Sequence, residues 1–332
     1  MNDNNYVPKL ITWFKSNKRD LPWRHNRTFY RVWISEIMLQ QTQVQTVIPY
    51  YLRFMERFPT VNDLANAPLD DVLKHWEGLG YYSRARNLHK GAQYLQNSLN
   101  SKFPESYEET IKIPGFGPYT TAAVLSFIYN KKHAVMDGNV IRVISRLTAV
   151  SDDMRHEKNK QLIQAIVNKD IPESNPAHFN EALMELGATI CTPKNPQCTL
   201  CPIRDCCRAF SIKKVEMFPF KSKKPKVPIK TRDVTIFYFK NALLIEQRPT
   251  DQMLGGLWKF PDRVDNEGIL LTQIKHTYSH FKLELNVFIQ HERPVILNHQ
   301  KWISFEEISS YAFDTASLKA IKIFLEKNKA TV

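Results

Sequence analysis

All five cysteines of this 332-residue chain fall between positions 191 and 207, and four of them, Cys191, Cys198, Cys201 and Cys207, are spaced C-x6-C-x2-C-x5-C. Thiolates are soft donors that select zinc, copper(I) or iron-sulfur clusters, and four suffice for a tetrahedral zinc or a 4Fe-4S cluster. Cys206 sits beside Cys207 and competes with it for the fourth position. Spacing alone does not separate zinc from cluster. Disulfides are the weaker reading, because no basic stretch followed by an apolar run opens the chain; no secretory signal is expected, and a reducing compartment is the default.

A second group is built on glycine. In IPGFGPYTTAAVLSF (113–127), Gly115 and Gly117 flank Phe116 ahead of a helix beginning near Tyr119. Bare backbone amides and a helix N-terminus can there face an anion such as a phosphate. From this segment alone, an ordinary glycine-containing connection between helices is an equal alternative. Next, AVMDGNVIRVISRL (134–147) places Asp137 before Gly138 and Asn139 at the start of another amphipathic helix. An isolated Asp in that place reads first as an N-cap.

These groups need elements to hold them. Upstream of 213, apolar residues recur at helical spacing, as in VWISEIMLQQTQV (32–44) and YTTAAVLSFIY (119–129), which predicts an all-α region. From Lys213 to Lys230 the chain carries seven Lys, three Pro and no Gly without any period, the mark of an interdomain linker lying on or near a phosphate backbone. Beyond it, DVTIFYF (233–239), ALLIEQR (242–248) and KLELNVFIQ (282–290) read as strands and 315–327 as a helix. The expected organisation is a helical domain over 1–212 with the cysteine motif at 191–207, a basic Pro/Lys linker over 213–230, and a small α+β domain over 231–332.

The length suits two or three domains. With 46 Lys+Arg against 33 Asp+Glu, the net charge of +13 favours a polyanionic partner, nucleic acid first and an acidic membrane surface second. The hydrophobic fraction is 43%, and no apolar run reaches the length of a membrane span, so no transmembrane helix is expected.

A helix-hairpin-helix followed by an Asp and then by C-x6-C-x2-C-x5-C resembles the endonuclease III superfamily of DNA glycosylases. LPWR (21–24), SEIMLQQTQV (35–44), GLGYYSRARNL (78–88), IPGFGPYTTAAVLS (113–126), MDGNVIRV (136–143) and NEALMELGA (180–188) look like its MutY branch, the adenine glycosylases. The resemblance implies an all-α helix-hairpin-helix glycosylase domain with a cleft between two helical subdomains. It also implies a 4Fe-4S cluster on Cys191, Cys198, Cys201 and Cys207, and so decides for the cluster over zinc.

Breaking an N-glycosidic bond to a purine requires protonating a poor leaving group and stabilising an oxocarbenium-like sugar, a task divided between two carboxyl groups. Glu36 and Asp137 are the pair selected. On a helix Glu36 lies one turn from Val32, Trp33 and Leu39, so desolvation should raise its pKa, as a general acid needs. Its bland alternative is a surface glutamate. Asp137 is expected to stay ionised. The resemblance implies that Glu36 protonates adenine at N7 and later activates water, and that Asp137 stabilises or attacks the sugar cation; Tyr119 and Asn139 complete the catalytic set. Bifunctional relatives carry a lysine at the position of Tyr119 and form a Schiff base with the sugar. Tyr119 cannot do so, which predicts a monofunctional, water-using enzyme with the tyrosine hydroxyl beside Asp137.

A base inside a duplex must be flipped out and the gap filled. The resemblance assigns the adenine pocket to Trp23, Arg24, Leu39, Val44 and Glu181, and DNA or opposite-base contacts to Gln41, Thr42, Leu79 and Tyr81, with Gly115 and Gly117 on the backbone. LLIEQRPTDQMLGGLWKFPD (243–262) and HTYSHFKLEL (276–285) resemble the Nudix-like recognition domain of the same branch, whose loop at Tyr278, Ser279 and His280 would read 8-oxoguanine opposite the adenine. No G-x5-E-x7-R-E-x2-E-E pattern follows Gly256, so binding is expected rather than nucleotide hydrolysis. His276 follows Asp262 by 14 positions, fewer than many relatives carry. The expected partner is duplex DNA with adenine opposite 8-oxoguanine or guanine, bound by a cytoplasmic monomer with no membrane association. The rivals are an endonuclease III-like lyase on oxidised pyrimidines, disfavoured by Tyr119 and the second domain, and a noncatalytic DNA-binding protein, disfavoured by the two carboxylates.

Overall fold

The structure, a computed structural model, describes residues 6–222, 227–263 and 267–329. Residues 223–226 of the expected linker and 264–266 of the short stretch before His276 lie outside the described residues. The chain divides into two compact units: Met1–Tyr51 with Tyr94–Lys224, and Leu52–Gln93 with Pro225–Val332.

Every regular element described before Ile229 is helical. The α-helices are α1 (Tyr6–Asn17), α2 (Phe29–Leu39), α3 (Val44–Arg57), α4 (Val61–Asn66), α5 (Leu69–Trp76), α6 (Ser83–Leu99), α7 (Tyr107–Thr110), α8 (Pro118–Tyr129), α9 (Gly138–Thr148), α10 (Glu157–Asp170), α11 (Pro176–Thr189) and α12 (Arg208–Ser211). Local chemistry sets their starts. The Thr28 hydroxyl accepts the Arg31 amide and opens α2, the Asp137 carboxylate accepts the Val140 amide and opens α9, and Pro occupies the first turn of α8 and α11, where its missing N–H costs nothing.

In the first unit, Leu10 and Phe14 of α1, Ile144 of α9, Ile163 of α10 and Phe179 and Leu183 of α11 share one core. Each such side chain contributes roughly 1.5–3 kcal/mol by leaving water. A second set of contacts fixes the site. Trp33 of α2 lies 5.0 Å from Phe116, and Phe29 of α2 stacks on Phe103 at 4.0 Å. Phe116 is the tip of the glycine hairpin, so these rings hold the start of α8 against α2.

In the second unit, Phe54 of α3, Phe58 just past its end and Trp76 of α5 are fully buried around one another. The unit's six-stranded sheet comprises β1 (Ile229–Phe239), β2 (Ala242–Gln247), β3 (Trp258–Lys259), β4 (Ile269–Thr277), β5 (Lys282–Gln290) and β6 (Gln300–Ser304), in the order β3-β2-β1-β5-β4 with β6 also paired to β2. β1 and β5 run parallel with Ile229 opposite Lys282, and the other pairs are antiparallel. One further helix, α13 (Thr315–Lys329), buries Ala316, Ala320, Ile321 and Phe324 in the same core as the inward residues of β1, β2, β4 and β5. Among the described residues, no helix is long and apolar enough to cross a membrane.

Candidate active site and cysteine loop

Glu36 is only 4% exposed, on the face of α2 that borders a cavity of about 860 Å³. Trp23, Arg24, Leu39, Gln41, Thr42, Val44, Tyr119, Asp137, Asn139 and Glu181 line the same cavity, which is large enough for a flipped base. Tyr119 and Asp137 remain partly open to it. Burial pushes the Glu36 carboxyl up to about 7; the Tyr119 hydroxyl, donating to Oε2 at 2.6 Å, opposes that rise, while the charges of Asp137 and Glu181 add to it. The tyrosine hydroxyl expected beside Asp137 is bonded to Glu36 and also feels the Asp137 charge. It is held there because Phe116 packs on Trp33, one turn before Glu36.

Asp137 has a different environment. Burial raises its pKa too, but Val140 N donates to Oδ1 at 2.7 Å and Asn139 Nδ2 to Oδ2 at 2.6 Å, and both bonds favour the carboxylate. Asp137 is therefore both the N-cap of α9 and a cavity wall. Asn139 in turn accepts from Arg142 Nη2 at 2.8 Å, and Arg142 also donates to the carbonyls of Gly187 at 2.6 Å and Cys191 at 2.7 Å. Buried Asn180 fixes the approach to Asp137, accepting from Val135 N and donating to the His133 carbonyl.

One wall of the cavity is an ion network. Glu181 pairs with Arg27 at 2.7 Å and with Arg24 at 3.5 Å, and Glu185 pairs with Arg19 at 2.7 Å and with Arg24 at 3.0 Å. Trp23 is a core residue as well as a wall, edge-on to Tyr51 at 5.5 Å. Arg19, Arg27, Asn180, Glu185 and Gly187 escaped sequence reasoning. The spacing of Glu181 and Glu185, one turn apart on α11, was the available signal. A side chain at Gly187 would place its Cβ 2.5 Å from Asn139 Cβ, so only glycine lets α11 approach the Asp137 support this closely.

The hairpin geometry is as glycine allows: Gly115 has φ +87, and Gly117 is the N-cap of α8, with open space where its Cβ would stand. In the second unit, Leu79 is buried and Tyr81 exposed, the latter with φ +49 in the loop between α5 and α6. Arg84 braces that loop, its Nη2 donating to the Gly80 carbonyl at 3.1 Å and its guanidinium lying 5.4 Å from the Tyr81 ring. Tyr278, Ser279 and His280 form the tight turn between β4 and β5, closed by Tyr278 N donating to the Phe281 carbonyl at 2.9 Å. Ser279 and His280 are exposed.

The cysteine loop packs on the α9–α11 core through Cys191, Cys201, Cys206 and Cys207. Among the described residues, no three His, Cys, Asp or Glu side chains converge on a single metal position. The thiols nevertheless interact: burial pushes Cys201 up to about 12, with the charges of Cys191, Cys207 and Cys198 adding to the rise. Cys198 and Cys207 are raised by the same causes. Arg146 Nη1 lies 3.3 Å from Cys191 Sγ, and backbone amides at Ile203 and Phe210 face Cys201 and Cys207. Desolvated thiols with N–H groups aimed at sulfur fit an iron-sulfur ligand set, whose positive irons keep them as thiolates.

Residues 34–169 match the family model of the HhH-GPD superfamily base excision DNA repair protein, and residues 234–322 match that of the NUDIX domain. The chain is 37% identical over 306 residues to the adenine DNA glycosylase of Buchnera aphidicola subsp. Baizongia pistaciae, covering 85% of this chain and 84% of that one. It is 31% identical over 405 residues to the adenine DNA glycosylase of Homo sapiens, covering 97% of this chain and 74% of the human one. Among solved structures, a thermostable thymine-DNA glycosylase superposes with TM-score 0.57 at 28% identity, covering 63% of this chain and 96% of that one. A non-covalent endonuclease III-DNA complex superposes with TM-score 0.55 at 23% identity over 63% of this chain and 95% of that one, and shares the fold. The chain belongs to the adenine DNA glycosylase family.

Proposed function

We propose that this chain is a monofunctional DNA repair glycosylase that flips adenine out of duplex DNA, opposite 8-oxoguanine or guanine, and hydrolyses its glycosidic bond. One observation carries the reading: a buried Glu36 with a pKa of about 7 shares one cavity with Asp137, whose two hydrogen bonds favour its ionised form. That pairing suits one carboxyl as acid and one as anion. Glu36 gives its proton to adenine N7, the C1′–N9 electron pair leaves with the base, and the Asp137 carboxylate offsets the charge left on the sugar. Glu36, now ionised, takes a proton from water as its oxygen bonds to C1′, releasing adenine and an abasic site.

Trp23, Leu39 and Val44 supply apolar contact to the flipped purine, and Arg24 and Glu181 supply polar edges. Gln41, Thr42, Leu79, Tyr81 and the amides around Gly115 and Gly117 hold the duplex, while Tyr278, Ser279 and His280 read the opposite base. Cys191, Cys198, Cys201 and Cys207 would hold a 4Fe-4S cluster, which when bound supplies closure of the 191–207 loop against DNA rather than bond-breaking chemistry. The basic stretch at 213–230 joins a helical domain to the Nudix-like one, and the protein acts as a cytoplasmic monomer on chromosomal DNA.

Duplexes bearing adenine opposite 8-oxoguanine, adenine opposite guanine, or thymine glycol opposite adenine test this reading. Strand breaks only at the adenine sites, and only after alkali, are expected. Breaks at thymine glycol without alkali, or a borohydride-trapped adduct with the protein, would instead identify a lyase.

A further inference from the structure

The loop carrying Leu79 and Tyr81 is gripped at both ends by the chain beyond 225, within a single compact unit. At its start, Glu77 caps the end of α5, and its Oε1 accepts the Phe313 amide at 2.7 Å. Lys74 steadies that carboxylate at 2.7 Å and donates to the Tyr311 carbonyl at 3.0 Å. Past the loop, Arg86 on α6 donates to the Gly255 carbonyl at 2.8 Å. The turn it reaches is tight: Gly256 has φ +78, and a Cβ there would lie 2.9 Å from Leu73 of α5. Gln247 of β2 adds a bond to Asp70 of α5 at 2.8 Å. The turn at Tyr278 faces the same group, for Tyr278 lines one pocket with Gln247, Arg248 and Leu254, and Arg248 is paired with Asp314 at 3.0 Å.

Glu77 and Arg86 line neither the cavity nor the Tyr278 turn, yet they bracket the loop that would fill the gap in the duplex. A reading element held at one end swings, and held at both ends it keeps its place to a fraction of an ångström. We propose that Glu77 and Arg86 are positioning residues for opposite-base recognition, locking the Leu79–Tyr81 loop and the Tyr278–His280 turn into one rigid reader of 8-oxoguanine. This rests on the function proposed above and names the parts that set its specificity.

The test is the ratio of single-turnover adenine release from adenine:8-oxoguanine and adenine:guanine duplexes, measured on one preparation of the full chain so that loss of folded protein cancels. Glu77→Ala and Arg86→Ala each lower the ratio about tenfold, the size of one lost charged hydrogen bond. Glu77→Gln, which keeps an acceptor for the Phe313 amide, holds the ratio within about twofold of the parent. Combining Arg86→Ala with Ser279→Ala and His280→Ala lowers the ratio by less than the product of the separate effects, because the groups act as one. An unchanged ratio in both alanine variants, or effects that simply multiply, overturns the latch. If the unmodified chain shows no preference for 8-oxoguanine, the reading beneath the latch fails and takes it down.

Discussion

Removing the Tyr119 hydroxyl should move the pH dependence of base release upward. The hydroxyl donates to Glu36 at 2.6 Å and favours the carboxylate, so Tyr119→Phe removes the main opposition to burial, leaving only the Arg24 charge, and raises the Glu36 pKa above about 7. A hydrogen bond to a charged group contributes about 1.5–3 kcal/mol, and 1.36 kcal/mol is one pKa unit, so the shift is about one to two units. Only the protonated form can act as the general acid. In the parent protein, adenine release should therefore fall as pH rises through about 7. In Tyr119→Phe that falling limb lies near pH 8 to 9, by the same conversion of about one to two units. Single-turnover release from an adenine:8-oxoguanine duplex between about pH 5 and 10 reads the limb directly. A limb that stays put or moves down refutes the assignment of Glu36 as the acid that Tyr119 holds.

Other consequences follow from the same geometry. Glu36 is raised from 4.5 to about 7 on folding, so its stabilising contribution is full below pH 4.5 and lost as pH rises through 7. At 1.36 kcal/mol per unit, Glu36→Gln should therefore be more stable than the parent by up to about 3 kcal/mol at pH 8 and gain nothing below pH 4.5; a pH-independent difference in unfolding temperature would contradict this. Gly187→Ala forces a Cβ to within 2.5 Å of Asn139 Cβ, displacing the support of Asp137. It should lower adenine release at least about tenfold and cost about 1–3 kcal/mol, and an unchanged rate would show that the contact relaxes harmlessly. Cys201→Ser should abolish an absorbance near about 400 nm from iron-sulfur charge transfer, whereas stoichiometric zinc in fully active protein would exclude the cluster. Replacing Ser279 and His280 with Ala should cut the preference for 8-oxoguanine over guanine opposite adenine about tenfold, and undiminished discrimination would remove the turn from the readout.

What the sequence made legible was local. The environment of Glu36 could be inferred because Val32, Trp33 and Leu39 are helical neighbours, and the structure leaves the residue 4% exposed. The Asp137 cap was visible from its Gly-Asn sequel for the same reason. The partner of the Tyr119 hydroxyl was not, since it depends on Phe116 bringing α8 onto α2 across 83 positions of chain. The Arg19, Arg24 and Arg27 pairs with Glu181 and Glu185 span more than 150 positions; the one-turn spacing of the two glutamates hints at a shared face of α11 but does not name their partners. Strands β1 and β5 carry β-branched and aromatic residues and β2 a short apolar run, whereas β3 is two residues long and β4 has a register shift between Leu270 and Thr272 that breaks its alternation. The grouping of Leu52–Gln93 with the chain after 225 includes polar contacts such as Glu77 with the Phe313 amide, which no hydrophobic pattern encodes.

The most direct measurement is single-turnover release of free adenine from an adenine:8-oxoguanine duplex by the parent chain and by Glu36→Gln at one pH. The parent should release adenine and leave an intact strand that breaks only in alkali, and the variant should fall at least about a hundredfold, the contribution of a positioned general acid. Adenine release by Glu36→Gln at a rate near that of the parent would contradict that role.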